Sequence, residues 1–103
     1  MVNKYTIRYT ATFIKQFNNI SKYIIYKLQN RIAAESFFYE VINEIEKRSE
    51  NPESFEKYKS RRKRKNTYYK IYVKKYLIFY VVQNNTMEIR RILYSRRNLN
   101  KLI

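Results

Sequence analysis

Residues Tyr68–Tyr94 read YYKIYVKKYLIFYVVQNNTMEIRRILY. Three runs rich in aromatic and β-branched residues stand out, Tyr68 to Val73, Tyr76 to Val82 and Thr86 to Tyr94, and such composition favours extended backbone. Lys74-Lys75 and Asn84-Asn85 separate them. Asparagine tolerates the left-handed backbone of a tight hairpin, whereas a lysine pair is poor turn chemistry. The middle run is apolar on both faces, which is what a central strand needs. The segment therefore predicts a three-stranded antiparallel meander, and the rest of the chain must supply something to cover it.

Upstream, Tyr5 to Tyr9 alternates and predicts a half-buried strand with Tyr5, Ile7 and Tyr9 on one face. Thr10 or Thr12 then caps a helix whose apolar positions Phe13, Phe17, Ile20, Ile24 and Leu28 step by three and four. That helix is expected to end near Asn30. A second helical stripe follows at once, with Ala34, Phe38, Val41 and Ile45 on one face and Phe37 and Ile42 beside it. Helices so close form a hairpin. The only proline, Pro52, marks the end of the second helix, and a linker is expected from there to Asn66. The order is strand, helix, helix, strand, strand, strand: an α+β domain over residues 1–103, with a helical hairpin on one face of a small, mainly antiparallel sheet and the other face open.

The chain has 23 basic and 8 acidic residues in 103, a formal charge of +15. Such a field attracts polyanions and repels itself in the compact state. The charge is lopsided: residues 1–50 hold 8 basic and 5 acidic side chains, residues 51–103 hold 15 and 3. Five consecutive cations run from Arg61 to Lys65, and Arg61, Arg62, Arg64 and Lys65 are candidates for gripping phosphates. Tyr68, Tyr69, Tyr72 and Tyr94 alternate with cations and are candidates for stacking on bases. Arg96-Arg97, at the end of the last strand, are candidates for a convergent phosphate grip, the alternative being a simple strand terminator.

The chain lacks glycine, cysteine, histidine, tryptophan and aspartate. Thiolate and imidazole chemistry are thereby excluded, and no metal site or cofactor is expected. RNA cleavage through its own 2′-hydroxyl needs neither, because lysine, arginine and tyrosine can move the protons and stabilise the phosphorane. No segment reads as a signal peptide or membrane span, so a cytoplasmic location is expected.

The order of elements, with the phrases YYKIYVKKYLIFYVV and EIRRILYSRRN, resembles the RelE/ParE superfamily of toxins from bacterial toxin–antitoxin modules. That resemblance covers nearly the whole chain. It implies a small toxin held by a cognate antitoxin with an acidic, partly disordered tail. RelE-like members cleave mRNA on the ribosome without metal, and ParE-like members poison DNA gyrase; the former activity is expected here, with the latter, or an inactive relative that only binds antitoxin or nucleic acid, as the alternatives. Lys70 then matches a catalytic lysine and Arg97 the late-strand arginine of RelE-like nucleases, while Tyr94 lies near the position of a proton-transfer residue. The family's second lysine falls on Tyr72, an arginine falls on Leu77, and another is replaced by Tyr69. An antitoxin tail is expected to place carboxylates on Arg90, Arg91, Arg96 and Arg97.

Overall fold

The computed structural model describes residues 5–55, 57–58 and 66–96. Its elements in chain order are β1 (Thr6–Tyr9), α1 (Ala11–Lys22), a π-helical turn (Tyr23–Lys27), α2 (Arg31–Arg48), a 3-10 turn (Pro52–Ser54), β2 (Lys57–Tyr58), β3 (Tyr68–Val73), β4 (Tyr76–Gln83) and β5 (Thr86–Tyr94). The fold is α+β. Five strands form one sheet in the order β1-β5-β4-β3-β2, with β1 parallel to β5 and every other pair antiparallel.

The meander forms as its composition predicts, and β4 lies at its centre. Asn84 and Asn85 both take positive φ, 49° and 63°, as a two-residue hairpin turn demands. At the other hairpin Lys74 sits at φ 53°, a conformation that costs a non-glycine residue about 1 kcal/mol. With no glycine in the chain, a lysine carries that strain. Replacing Lys74 with asparagine is expected to raise unfolding stability by up to ~1 kcal/mol, read as a shifted urea midpoint at unchanged slope.

Ile7 and Tyr9 of β1, with Tyr5 before it, pack on the helix side of the sheet. Thr10 is the cap of α1: its hydroxyl accepts from the Phe13 amide (3.1 Å) and donates to the Arg90 carbonyl (3.0 Å). One side chain thus starts the helix and ties it to β5. Beyond Ile89, no strand among the described residues pairs with β5 on its β1 side. Gln16 of α1 satisfies that edge, its Oε1 accepting from the Ile92 amide at 2.9 Å, so the helix covers an edge that would otherwise be open to pairing.

Two helical positions depart from the simple stripe. After Lys22 the first helix widens, the Leu28 amide bonding to the Tyr23 carbonyl five residues back. The extra residue rotates Leu28 off the buried face and leaves it 57% exposed. In α2, Phe37 rather than Phe38 joins Ala34, Val41 and Ile45 in the core. Phe38 is 46% exposed and stacks on Phe17 between the helices at 5.6 Å. The segment from Pro52 to Asn66, expected as plain linker, contributes β2, which pairs with Tyr68 and Tyr69 at the sheet edge.

The expected open face is also corrected. Tyr68, Leu77, Phe79, Val81 and Leu93 form a second buried cluster on the side of the sheet away from the helices. β4 is apolar on both faces, and Phe79 is as buried as Ile78 beside it. Cations rim this face, but its centre is apolar and covered.

Buried phenols set an alkaline limit. Burial raises the pKa of Tyr9, Tyr69, Tyr76 and Tyr80, and the Tyr80 hydroxyl donates to the Pro52 carbonyl at 2.7 Å. Below the ordinary tyrosine value of about 10 both folded and unfolded phenols are neutral, and the stability is fully present. As pH rises above it the unfolded chain ionises first, and stability falls through the raised folded values. Urea midpoints are expected to drop above about pH 10 together with the appearance of tyrosinate absorbance. Tyr80→Phe is expected to be less stable at neutral pH and to show a shallower alkaline decline.

Candidate functional site

The sheet face opposite the helices gathers the cations. Lys70 pairs across Phe79 with Arg91, so the two charges flank one buried ring on three adjacent strands. Tyr72, one rung along, is 60% exposed, and the Lys70 ammonium lies 5.5 Å from its ring centroid. An exposed phenol beside an ammonium can stack on a base or another ring while the charge meets a phosphate or carboxylate.

Arg90 and Arg91 both reach this face because of a bulge. Phe79 pairs with Arg91 while Tyr80 pairs with Ile89, which leaves Arg90 as the extra residue. A bulge re-aims side chains in this way. The signal was present in the sequence: Ile89 and Ile92 are three apart, yet both belong to the helix-side core, and strict alternation allows this only with one inserted residue.

Arg90 is engaged within the fold. Its Nε donates to Glu88 Oε1 at 2.7 Å, its guanidinium reaches the Tyr68 hydroxyl at 3.4 Å, and it lies over the Tyr68 ring. Burial disfavours its charge, but the bonds to Tyr68 and Glu88 outweigh burial and raise its pKa. Glu88 also faces Arg8 at 3.7 Å. Arg90 is therefore a structural cation, whereas Arg91 is half-buried and makes no ion pair among the described residues, and Arg96 is exposed.

Two sequence candidates lie on the wrong side. Tyr69 is only 5% exposed and stacks on Tyr80 at 5.2 Å in the helix-side core, so its ring is not offered to a base. Tyr68 is likewise buried. Tyr94 pairs with Tyr76, meets it edge-on at 5.7 Å, and faces the helices. It is three residues beyond Arg91 along β5, about 10 Å at strand rise, and on the opposite face from Lys70. Arg61, Arg62, Arg64, Lys65 and Arg97 lie outside the described residues. Among the described residues no three acidic, histidine or cysteine side chains cluster as metal ligands would, and no helix is long and apolar enough to cross a membrane.

Tyr94 instead lines a groove of about 800 Å³ between the helical hairpin and the β3–β4 turn. Tyr23, Leu28, Phe37 and Tyr76 give it an apolar wall, and Lys74 and Lys75 supply basic residues at one end. The π-helical turn builds this wall. By rotating Leu28 outward it converts a core position into a rim position, something that stripe-reading at constant pitch misses.

The molecule thus offers two surfaces of different chemistry: a cation-rimmed sheet face with one exposed tyrosine, and an aromatic groove with a lysine end. No curated protein matches the chain. The family model of the ParE toxin of type II toxin–antitoxin systems, parDE, matches residues 7–99, a span that includes both surfaces, and the chain accordingly belongs to that family of type II toxins.

Proposed function

We propose that this toxin acts by contact rather than by cutting RNA, as a ParE-like inhibitor of DNA gyrase, and that a cognate antitoxin silences it. One observation carries the reading. Lys70 and Tyr94, the groups that would share proton transfer in a nuclease, are on opposite faces of the sheet. General acid–base catalysis requires both groups within hydrogen-bond reach of one substrate. A contact inhibitor has no such requirement. Lys70, Tyr72 and Arg91 present charge and a ring on a rigid sheet, which suits a surface that docks on a nucleoprotein target.

A second reading, ribosome-dependent mRNA cleavage, is favoured by Tyr72 standing exposed beside Lys70. The two readings separate on one pair of assays. Purified toxin is expected to block supercoiling by gyrase and to leave mRNA intact on translating ribosomes by toeprinting. Arg91→Ala is expected to weaken gyrase inhibition in a salt-dependent manner. Codon-specific breaks in the toeprint, with supercoiling untouched, would overturn the contact reading.

The antitoxin is assigned to the groove. Its apolar wall suits the apolar face of a helix, and the lysines at its end suit flanking carboxylates.

A further inference from the structure

We infer that the outer face of the α1–α2 hairpin is a self-association surface whose occupant is a second copy of this chain. Ile32 and Tyr39, one heptad apart on α2, are 80% and 65% exposed; Phe38 meets Tyr39 edge-on at 5.6 Å and stacks on Phe17 of α1, and α1 adds Ile14, 48% exposed. None of the four lines the groove. Isolated exposed apolar residues are ordinary, but a contiguous strip along a helical hairpin is interface chemistry.

The charges say what fits it. The exposed lysines of α1, Lys15 and Lys22, lie seven residues apart, on one face of a helix that has no acidic residue. The neighbouring α2 exposes Glu35 and Glu46. Lys15, Lys22 and Glu35 make no ion pair with one another or with other described residues. α1 thus carries only cations, whereas α2 carries four carboxylates against three cations that stand at its two ends, Arg31 at the start and Lys47 and Arg48 at the finish, so the middle of the hairpin is self-complementary. A two-fold axis along the hairpin sets α1 of each copy antiparallel over α2 of the other, and brings Lys22 of one copy over Glu35 of the second. The same operation turns the cation-rimmed sheet faces outward, to opposite sides of the pair. That arrangement minimises repulsion between two domains of +15. It also matches the distribution of charge, because residues 1–50 have most of the acids.

The contact is modest. An 18-residue α2 is ~27 Å long, and two helices side by side offer roughly 500 Å² per copy, below the ~800 Å² of a standard interface. A weak dimer is expected, populated where two toxins are held close.

Sedimentation velocity of the full chain, across a concentration series at moderate salt, tests this. The wild type is expected to move from monomer to dimer. Lys22→Glu and Glu35→Lys alone should each weaken the dimer at least ~fivefold, since two symmetric pairs are lost and like charges replace them. The Lys22→Glu/Glu35→Lys double variant should restore it. Circular dichroism checks that each variant is folded. A monomer at every concentration overturns the proposal, as does a dimer indifferent to the single swaps, or copies that associate only through antitoxin.

Discussion

Replacing Phe37 with alanine is expected to destabilise the domain by about 3–5 kcal/mol, whereas the same change at Phe38 costs about 1 kcal/mol. Phe37 is buried between Phe17 (5.8 Å) and Tyr76 (5.1 Å), where it joins the hairpin to β4. Truncating it removes contacts to both layers and leaves a hole that the neighbouring rings fill only in part. Phe38 keeps one stacked neighbour and a largely wet edge. A domain of this size has a total stability of about 5–15 kcal/mol, and a charge of +15 pulls it toward the low end. Phe37→Ala is thus expected to lower the thermal midpoint by ~15 °C or more and to leave little folded protein at low salt. Thermal melts of both variants in the same buffer decide the matter. A larger loss at Phe38 would mean that the helix is rotated by about one residue from the phase described.

That comparison also marks how far the sequence could be read. The meander was legible because its runs are apolar, aromatic and punctuated by Asn84-Asn85, so type, order and ends all followed from local chemistry. The helix cap was legible to within two residues, Thr10 or Thr12, and the bond from the Phe13 amide selects Thr10. Phe37 and Phe38 were not distinguishable, since adjacent aromatics both fit a broad helical stripe and only the direction of approach of α1 chooses between them. The π-helical turn was hidden because Leu28 satisfies the spacing of an ordinary helix. Lys74 was a poor turn residue by its chemistry, and the strength of the flanking strand pairing imposed the turn on it.

Candidate site residues were less legible than the fold, for a geometric reason. Alternation assigns each strand residue to a face only when the register is known, and the bulge at Arg90 shifts it midway along β5. Tyr69 and Tyr72 look alike in the sequence, each within two residues of a cation. Three residues apart on one strand, they fall on opposite faces, one in the core and one in solvent. Lys70 kept its place as a functional candidate because it shares the face of Tyr72. Tyr94 lost its place beside Lys70 because it shares the face of Tyr76.

Antitoxin binding and target inhibition are expected to separate by mutation, because the two surfaces lie on opposite sides of the sheet. Tyr23→Glu puts a carboxylate on the apolar wall of the groove, where Tyr23 is half exposed and free of core packing. Antitoxin affinity is expected to fall by about 2–4 kcal/mol, the loss typical of an aromatic anchor, or roughly 30- to 1,000-fold. Inhibition of the target should persist, and the variant should be toxic even with antitoxin present. Lys70→Ala and Arg91→Ala are expected to do the reverse, weakening growth inhibition while antitoxin affinity changes less than about threefold, a change proper to rim charges. Titration calorimetry at two salt concentrations, beside growth assays with toxin and antitoxin separately induced, reads both effects. If Arg91→Ala instead costs the antitoxin about 2–5 kcal/mol, the figure for a desolvated charge pair, and Tyr23→Glu costs nothing, the antitoxin covers the basic face and competes directly with the target. Of the four arginines expected from the sequence to meet antitoxin carboxylates, Arg90, Arg91, Arg96 and Arg97, the contacts would then fall on Arg91 and Arg96, with Arg90 still held by Glu88.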